Sequence, residues 1–385
     1  MSMGEQDWSE NRPIPAHIPP GQVLKVQLDA RGWTPKALAE IINKSPKVVK
    51  GIIEARTHIT PDIAIRLAQA LDTSVEFWLT LEVNYRLHLA RRRIRAHELA
   101  QIRRKSRLYT LTPVDELIQR GWIDQPQSLD DLENAVCAFL GINSVQEVPA
   151  LAAALHPSRQ LKPKTVAQIA WLRRVEHLVW HQEPLNFERE RFMAEIPQLL
   201  WLANLAENVV EVPQKLREMG IHFVIVPELP PAIIDGVTYV KAGRHIVALT
   251  LRRPEIDAFW FSLMRQLACI ALGYTVSEQD GLFIWDADQQ SQDANADEAQ
   301  KVQAVDKWAA DQLLPPEKYQ TFITENEGNF SRANIKAFAS EIFRYPGIVV
   351  GRLKHDGLLK WKWHRRLQVN IYPALSAWID TPGQY

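Results

Sequence analysis

Cysteine is nearly absent from this chain: there are two in 385 residues, Cys137 and Cys269. Two thiols exclude a disulfide framework and fit a reducing compartment. The N-terminal stretch MSMGEQDWSENRPIP has no apolar core of the kind a secretory leader needs. No apolar run approaches the roughly 20 residues that span a bilayer. A cytoplasmic protein with no membrane association is therefore expected. Net charge is also missing, since 45 basic side chains are cancelled by 45 acidic ones. A protein that coats nucleic acid would be basic overall, so any DNA binding here must use locally gathered positive charge. The length predicts two or three domains.

Against that neutral background, residues 33–71 form three short helices marked by repeated start signals. Thr34-Pro35, Ser45-Pro46 and Thr60-Pro61 each place an N-cap hydroxyl before a proline at the first helical position, where a missing N–H costs nothing. Apolar residues recur at helical spacing: Ala37, Leu38 and Ile41, then Val48, Val49, Ile52 and Ile53, then Ile63, Ile65, Leu67 and Leu71. Two short helices joined across Ile42-Asn43-Lys44 make a helix-turn-helix, whose second helix enters the DNA major groove. Ser45, Lys47 and Lys50 stand at the start of that helix, with Lys44 just before it, so amides and cations there would meet phosphates and base edges together. A small helical bundle with solvated lysines has the same spacing and remains the plainer alternative.

The wider stretch 17–87 resembles the HigA-type antitoxin family, repressors with a helix-turn-helix of the phage-repressor class. The resemblance rests on PGQVL, GWTPKALAEII, SPKVVKGIIEAR, ITPDIAIRLAQAL and the Phe77-Trp78-Leu79 triplet, in that order. It implies a dimer on a palindromic operator and a toxin partner, a RelE/HigB-like ribonuclease. On that footing Ser45, Lys47 and Lys50 would read or clamp the groove, and Thr34, Lys36, Lys44 and Arg56 would position the domain on phosphates.

Further along, a helix through VEFWLTLEVNYRLHLARRR carries Phe77, Trp78, Leu81, Tyr85 and Leu89 as one stripe, expected to pack on the bundle. Arg91, Arg92, Arg93, Arg95, Arg103, Arg104, Lys105 and Arg107 follow as a run of one sign. Such a run is usually a solvated face; beside a helix-turn-helix it would instead extend the phosphate contact. Residues 112–211 read as all helical, with caps at Thr112-Pro113 and Ser128, stops at Gly121 and Gly141, and loops at the prolines 149, 157 and 163. His177 and His181 lie four apart with no third ligand in register, which suits helix surface better than a metal. Beyond Val212 the texture changes to strands in IHFVIVPEL, DGVTYV and RHIVALTL. A buried helix IDAFWFSLMRQLACIALG follows, then an exposed acidic loop over 277–298, a helix ending at Pro315-Pro316, helix IKAFASEIF and a closing stretch GIVVGRL…LQVNIY.

From about Leu108 onward the chain resembles the ImmA/IrrE-type zinc metallopeptidase domain, through LYTLTPVDELIQRGWI, VAQIAWLRRV, LTLRRPEIDAFWFSLM, WAADQLLP and PGIVVGRLKHDG. That resemblance implies a zincin helix bearing HExxH, with two histidines on one face for Zn²⁺ and a glutamate that polarises water. Here the corresponding run is Arg265, Gln266, Leu267, Ala268 and Cys269, and the third ligand position falls at Ala304. A permanent cation, an amide, a thiol and a methyl group replace ligand, base, ligand and ligand. No metal, no cofactor and no catalysis are therefore expected.

The expected fold is mainly α with an α+β C-terminal part: a flexible tail over 1–14, a helix-turn-helix domain over 15–95, a helical connecting region over 96–210 and a degenerate zincin-like domain over 211–385. The expected function is that of a type II antitoxin and transcriptional autorepressor, binding operator DNA and a cognate toxin as a homodimer. Two alternatives stand beside it: a ligand-responsive regulator sensing through the peptidase cleft, and an active zinc peptidase.

Overall fold

The computed structural model describes residues 15–147, 149, 165–183, 185–277, 283–285, 296–326 and 328–381. The expected flexible tail over 1–14, the prolines 157 and 163, and most of the expected acidic loop lie outside them. The chain divides into two compact units, Met1–Arg104 and Lys105–Tyr385. Among the described residues no helix is long and apolar enough to cross a membrane.

The first unit is helical: α1 (Pro20–Arg31), α2 (Pro35–Ile41), α3 (Pro46–Ile53), α4 (Pro61–Leu71) and α5 (Val75–Arg93), with α6 (Ala96–Leu111) spanning the division between the units. Helices α2, α3 and α4 all start on proline after an extended residue. Thr34 accepts the amide of Ala37 at 3.1 Å, and Thr60 that of Ile63 at 3.5 Å. Ser45 departs from the expected pattern, for its hydroxyl caps nothing; the fixed φ of Pro46 starts α3 without it. Three helices close alike, with a left-handed residue and two backbone bonds back to the last turn. These residues are Gly32, Asn43 and Ala55, at φ 64°, 49° and 56°. After Asn43, for example, Lys44 N–H donates to the Ala39 carbonyl at 2.9 Å and Asn43 N–H to that of Glu40 at 3.2 Å.

The core of this unit is Leu24, Leu28, Leu38, Val49, Ile52, Leu67, Leu71 and Trp78. Burying such side chains stabilises by about 1.5–3 kcal/mol each. Ile41 and Ile65, expected inside, are each 52% exposed. In α4 the buried face is Ile63, Ala64, Leu67, Ala68 and Leu71, and Ile65 falls on the other side of the helix. The α5 stripe is core only at its start: Trp78 and Leu81 are buried, whereas Leu89 is 39% exposed.

In the second unit come α7 (Val114–Gln119), α8 (Leu129–Leu140), α9 (Val166–Trp180), α10 (Arg189–Trp201) and α11 (Val212–Glu218). Strands β1 (Ile221–Ile225), β2 (Gly236–Lys241), β3 (Arg244–Leu249) and β4 (Phe283–Trp285) form one sheet in the order β1-β3-β2-β4, with only the β1–β3 pair parallel. Helices α12 (Ile256–Ala271), α13 (Ala296–Leu313), α14 (Pro316–Asn326), α15 (Arg332–Glu341), α16 (Pro346–His355) and α17 (Tyr372–Leu375) complete it.

Both faces of the sheet are covered. Phe223, Ile225, Val247 and Leu249 point into a core with α10, α11, α12 and α16. The alternate residues Val224, Val237, Ile246 and Ala248 join Leu108, Leu117, Val136, Phe139, Trp171 and Val175. The region 96–210 is therefore no connector: from α7 onward its helices share a core with the sheet. Trp171 Nε1–H donates to the Val226 carbonyl at 3.0 Å. The buried Asp380 carboxylate accepts from Arg174 at 2.6 and 2.9 Å and from Trp122 Nε1 at 3.0 Å, tying the C-terminal segment to the same helices.

Candidate nucleic-acid interface

The face of α3 opposite its buried Val49 and Ile52 presents Lys47 and Lys50, both exposed, with exposed Ser45 just before them. Close packing holds this helix in place. A Cβ on Gly21 would lie 2.0 Å from the Ile52 carbonyl oxygen, and one on Gly51 would lie 2.2 Å from Thr57 Oγ1. Behind α3, Glu82 gathers the loop to α4: Ile59 N–H donates to it at 3.2 Å, Arg86 Nε at 2.7 Å, and His58 Nδ1 lies 3.1 Å away. Burial pulls the Glu82 carboxyl up, but the bonds from Arg86, His58 and Ile59 outweigh it and hold the group below the usual range.

The expected DNA-facing residues divide by how far their charge is already used. Lys36 and Lys47 are exposed and have no side-chain partner among the described residues. Lys50 lies 4.0 Å from Glu54, which also pairs with Arg56. Lys44 is half-buried and bound to Asp62 at 2.7 Å; Asp62 also takes Arg66 at 3.1 Å, and both bonds hold its carboxyl below the usual range. Arg66 in turn donates to the Ile42 carbonyl at 3.0 Å. Lys44 and Arg66 thus tether the turn to α4, a role that pairing across the fold gives them and that local spacing does not signal. The hydroxyl of Thr34 serves its cap. Of the basic run, Arg91, Arg92 and Arg93 occupy the last turn of α5, where the helix dipole favours cations without any ligand.

On α12 the positions expected to correspond to a peptidase's metal-binding run hold other chemistry. Arg265 Nε donates to Asp306 of α13 at 2.6 Å. Cys269 is buried, its thiol donates to the Arg265 carbonyl at 3.4 Å, and burial pushes its pKa far up. It packs with Ala268 and Val305, and Ala304 lies half-buried on α13. Gln266 is buried beside Gly236, where a Cβ would come within 2.9 Å of its amide nitrogen. Zinc needs three or four protein ligands, and these residues do not fit it: a guanidinium–carboxylate pair and apolar contacts occupy the positions. Among the described residues no three of His, Cys, Asp and Glu converge. His177 packs edge-on against Phe139 at 5.1 Å, and burial lowers its imidazole to about 4; His181 is exposed.

Residues 24–78 match the helix-turn-helix family model. The first unit carries a helix-turn-helix domain. The antitoxin HigA-1 of Vibrio cholerae is 40% identical over 63 residues, 16% of this chain and 59% of the relative, so the chain spans less than two thirds of that relative's length. Among solved structures, the Pseudomonas aeruginosa antitoxin HigA with the higBA promoter is 36% identical, covering 19% of this chain and 82% of that one at a TM-score of 0.19. An addiction module antidote protein of a HigA family from Coxiella burnetii is 31% identical, covering 20% and 85% at a TM-score of 0.20. The helix-turn-helix match takes in α3 and its preceding turn, and hence Thr34, Lys36, Lys44, Ser45, Lys47, Lys50 and Arg56.

Proposed function

We propose that the chain is the antitoxin of a type II toxin–antitoxin pair and represses its own promoter as a homodimer on a palindromic operator. The observation that carries this reading is α3: an exposed Ser45, Lys47 and Lys50 on the second helix of a helix-turn-helix, in the stretch that shares 40% identity with a HigA antitoxin. In this reading Ser45, Lys47 and Lys50 meet the groove and Lys36 meets phosphate, while Lys44 is drawn to Asp62 at the turn and Arg56 to Glu54. The cognate toxin is a RelE/HigB-like ribonuclease. The second unit is a non-catalytic body of the ImmA/IrrE-like kind; the Arg265–Asp306 pair and the buried Cys269 support this, because neither leaves a site for a metal-bound water.

Co-expression with the adjacent open reading frame, followed by a growth assay and co-purification, tests the antitoxin assignment. The neighbour should arrest growth alone, and this chain should restore growth and co-purify with it. A harmless neighbour that does not bind would contradict the toxin partner and leave a ligand-responsive repressor.

A further inference from the structure

The second unit has a cationic pocket that takes no part in the proposed antitoxin function. It is a cavity of about 340 Å³ lined by Arg332, Lys362, His364, Arg365, Arg366 and Leu367. Arg332 is the first residue of α15, and the others come from the segment after α16. Residues 357–371 (GLLKWKWHRRLQVNI) include Lys360, Lys362, Arg365 and Arg366 and no acid.

Elsewhere in this unit cations meet carboxylates: Arg174 with Asp380, Arg265 with Asp306, Arg352 with Asp356. The side chains of Arg332, Lys362, Arg365 and Arg366 are exposed and have no ion pair or hydrogen bond among the described residues. Four like charges around one concavity repel each other, and among the described residues none of the four has a carboxylate at ion-pair distance. The backbone that presents them is pinned. Leu367 is buried, and its carbonyl oxygen lies where a Cβ on Gly347 would come within 2.4 Å. A ring nitrogen of His364, which sits at φ 53°, lies 2.9 Å from the Phe330 carbonyl oxygen.

Two indoles interleave with these cations. Trp361 and Trp363 flank Lys362 and are 71% and 49% exposed, and the Lys360 ammonium lies 6.0 Å from the centre of the Trp363 ring. Exposed aromatics alternating with cations form a stacking platform for unpaired bases beside a track for their phosphates. We propose that this surface binds single-stranded nucleic acid, its phosphodiester backbone held by Arg332, Lys362, Arg365 and Arg366 and its bases stacked on Trp361 and Trp363. A duplex hides the base faces that the indoles would take. An anionic bilayer calls for cations spread over a plane, whereas these line a hollow.

The test uses the full chain carrying Lys47→Ala and Lys50→Ala, which silences α3, with fluorescein-labelled oligothymidylate titrated at several salt concentrations. Binding should persist and quench tryptophan fluorescence. Adding Arg365→Gln and Arg366→Gln should weaken it at least about tenfold and flatten the salt dependence of log K by about 0.7 per lost phosphate contact. Adding Trp361→Ala and Trp363→Ala should weaken it about tenfold or more and leave the salt slope in place. If the arginine pair costs the protein its cooperative thermal transition, Lys362→Gln at its exposed site provides the same comparison. Affinity and quenching indifferent to all these changes would overturn the proposal. So would failure to bind oligonucleotide while phosphatidylserine vesicles bind through Arg365 and Arg366.

Discussion

His222 on β1 and His245 on β3 sit one register step apart on neighbouring strands, opposite Ile246 and Ile221 respectively, and each is almost wholly out of solvent. For His222, burial followed by the fields of Arg244 and Arg217 lowers the imidazole to about 4; for His245, stacked on Phe187 at 3.7 Å, burial alone does so. An unfolded imidazole takes a proton below about pH 6.5, and these folded ones resist until about 4. The unfolded state therefore binds more protons across that window, and stability present above pH 6.5 is lost as pH falls toward 4. The urea midpoint of the second unit should decline over this range, and His245→Phe should shallow the decline. A midpoint flat between pH 6.5 and 4 would contradict the buried neutral histidines. On the other unit, replacing Lys44 should change stability little, since Lys44 and Asp62 are a partly exposed pair. A much larger loss by thermal unfolding would mean that the turn depends on that bond more than its exposure allows.

At the scale of elements, the helix-turn-helix was legible because its signals are local. Thr34-Pro35, Ser45-Pro46 and Thr60-Pro61 mark starts within one residue, and hydrophobic spacing marks the faces. Pro315-Pro316 marks a stop, and α13 does end at Leu313; the helix that Pro316 opens, α14, went unread, although the fixed φ of proline suits a first helical position. GIVVGRL is β-branched and apolar, yet it forms α16 behind Pro346 and packs on α12. The close approach of α1 to α3 was hidden too, because Gly21 meets Ile52 across thirty-one residues of chain. Gly21→Ala should destabilise the first unit by about 1–3 kcal/mol through overpacking against backbone. An unchanged denaturation midpoint would show that α1 does not rest on α3 as described.

At the scale of the molecule, the sequence divides at changes of texture, whereas the protein divides where contacts thin out. The helices of 112–201 have helical periodicity throughout, so they read as a separate layer. The apolar faces of α7, α8 and α9 are completed by Val224, Val237 and Ile246 and that of α10 by Phe223 and Val247, many residues later, and periodicity carries no information about partners so distant. The candidate interface was half legible for the same reason. Lys47 and Lys50 follow from α3 alone, but the engagement of Lys44 by Asp62 and of Arg56 by Glu54 depends on the folded arrangement. That Arg265 would be held by Asp306 of α13 could not be read from the sequence, because the bond joins residues forty-one apart. Added zinc should leave the melting temperature unchanged, since among the described residues no three ligands converge to hold it; a rise that a chelator reverses would contradict that account.

The most direct test of the central claim is fluorescence anisotropy on the duplex upstream of the chain's own coding region, comparing the unaltered protein with the Lys47→Ala, Lys50→Ala variant. The unaltered chain should bind this duplex far more tightly than a scrambled one. The variant should lose that preference, at about 1–3 kcal/mol for each base-edge contact removed, and keep its thermal stability within about 0.5 kcal/mol. Equal affinity of the two proteins for the upstream duplex would contradict the assignment of α3 as the helix that reads DNA.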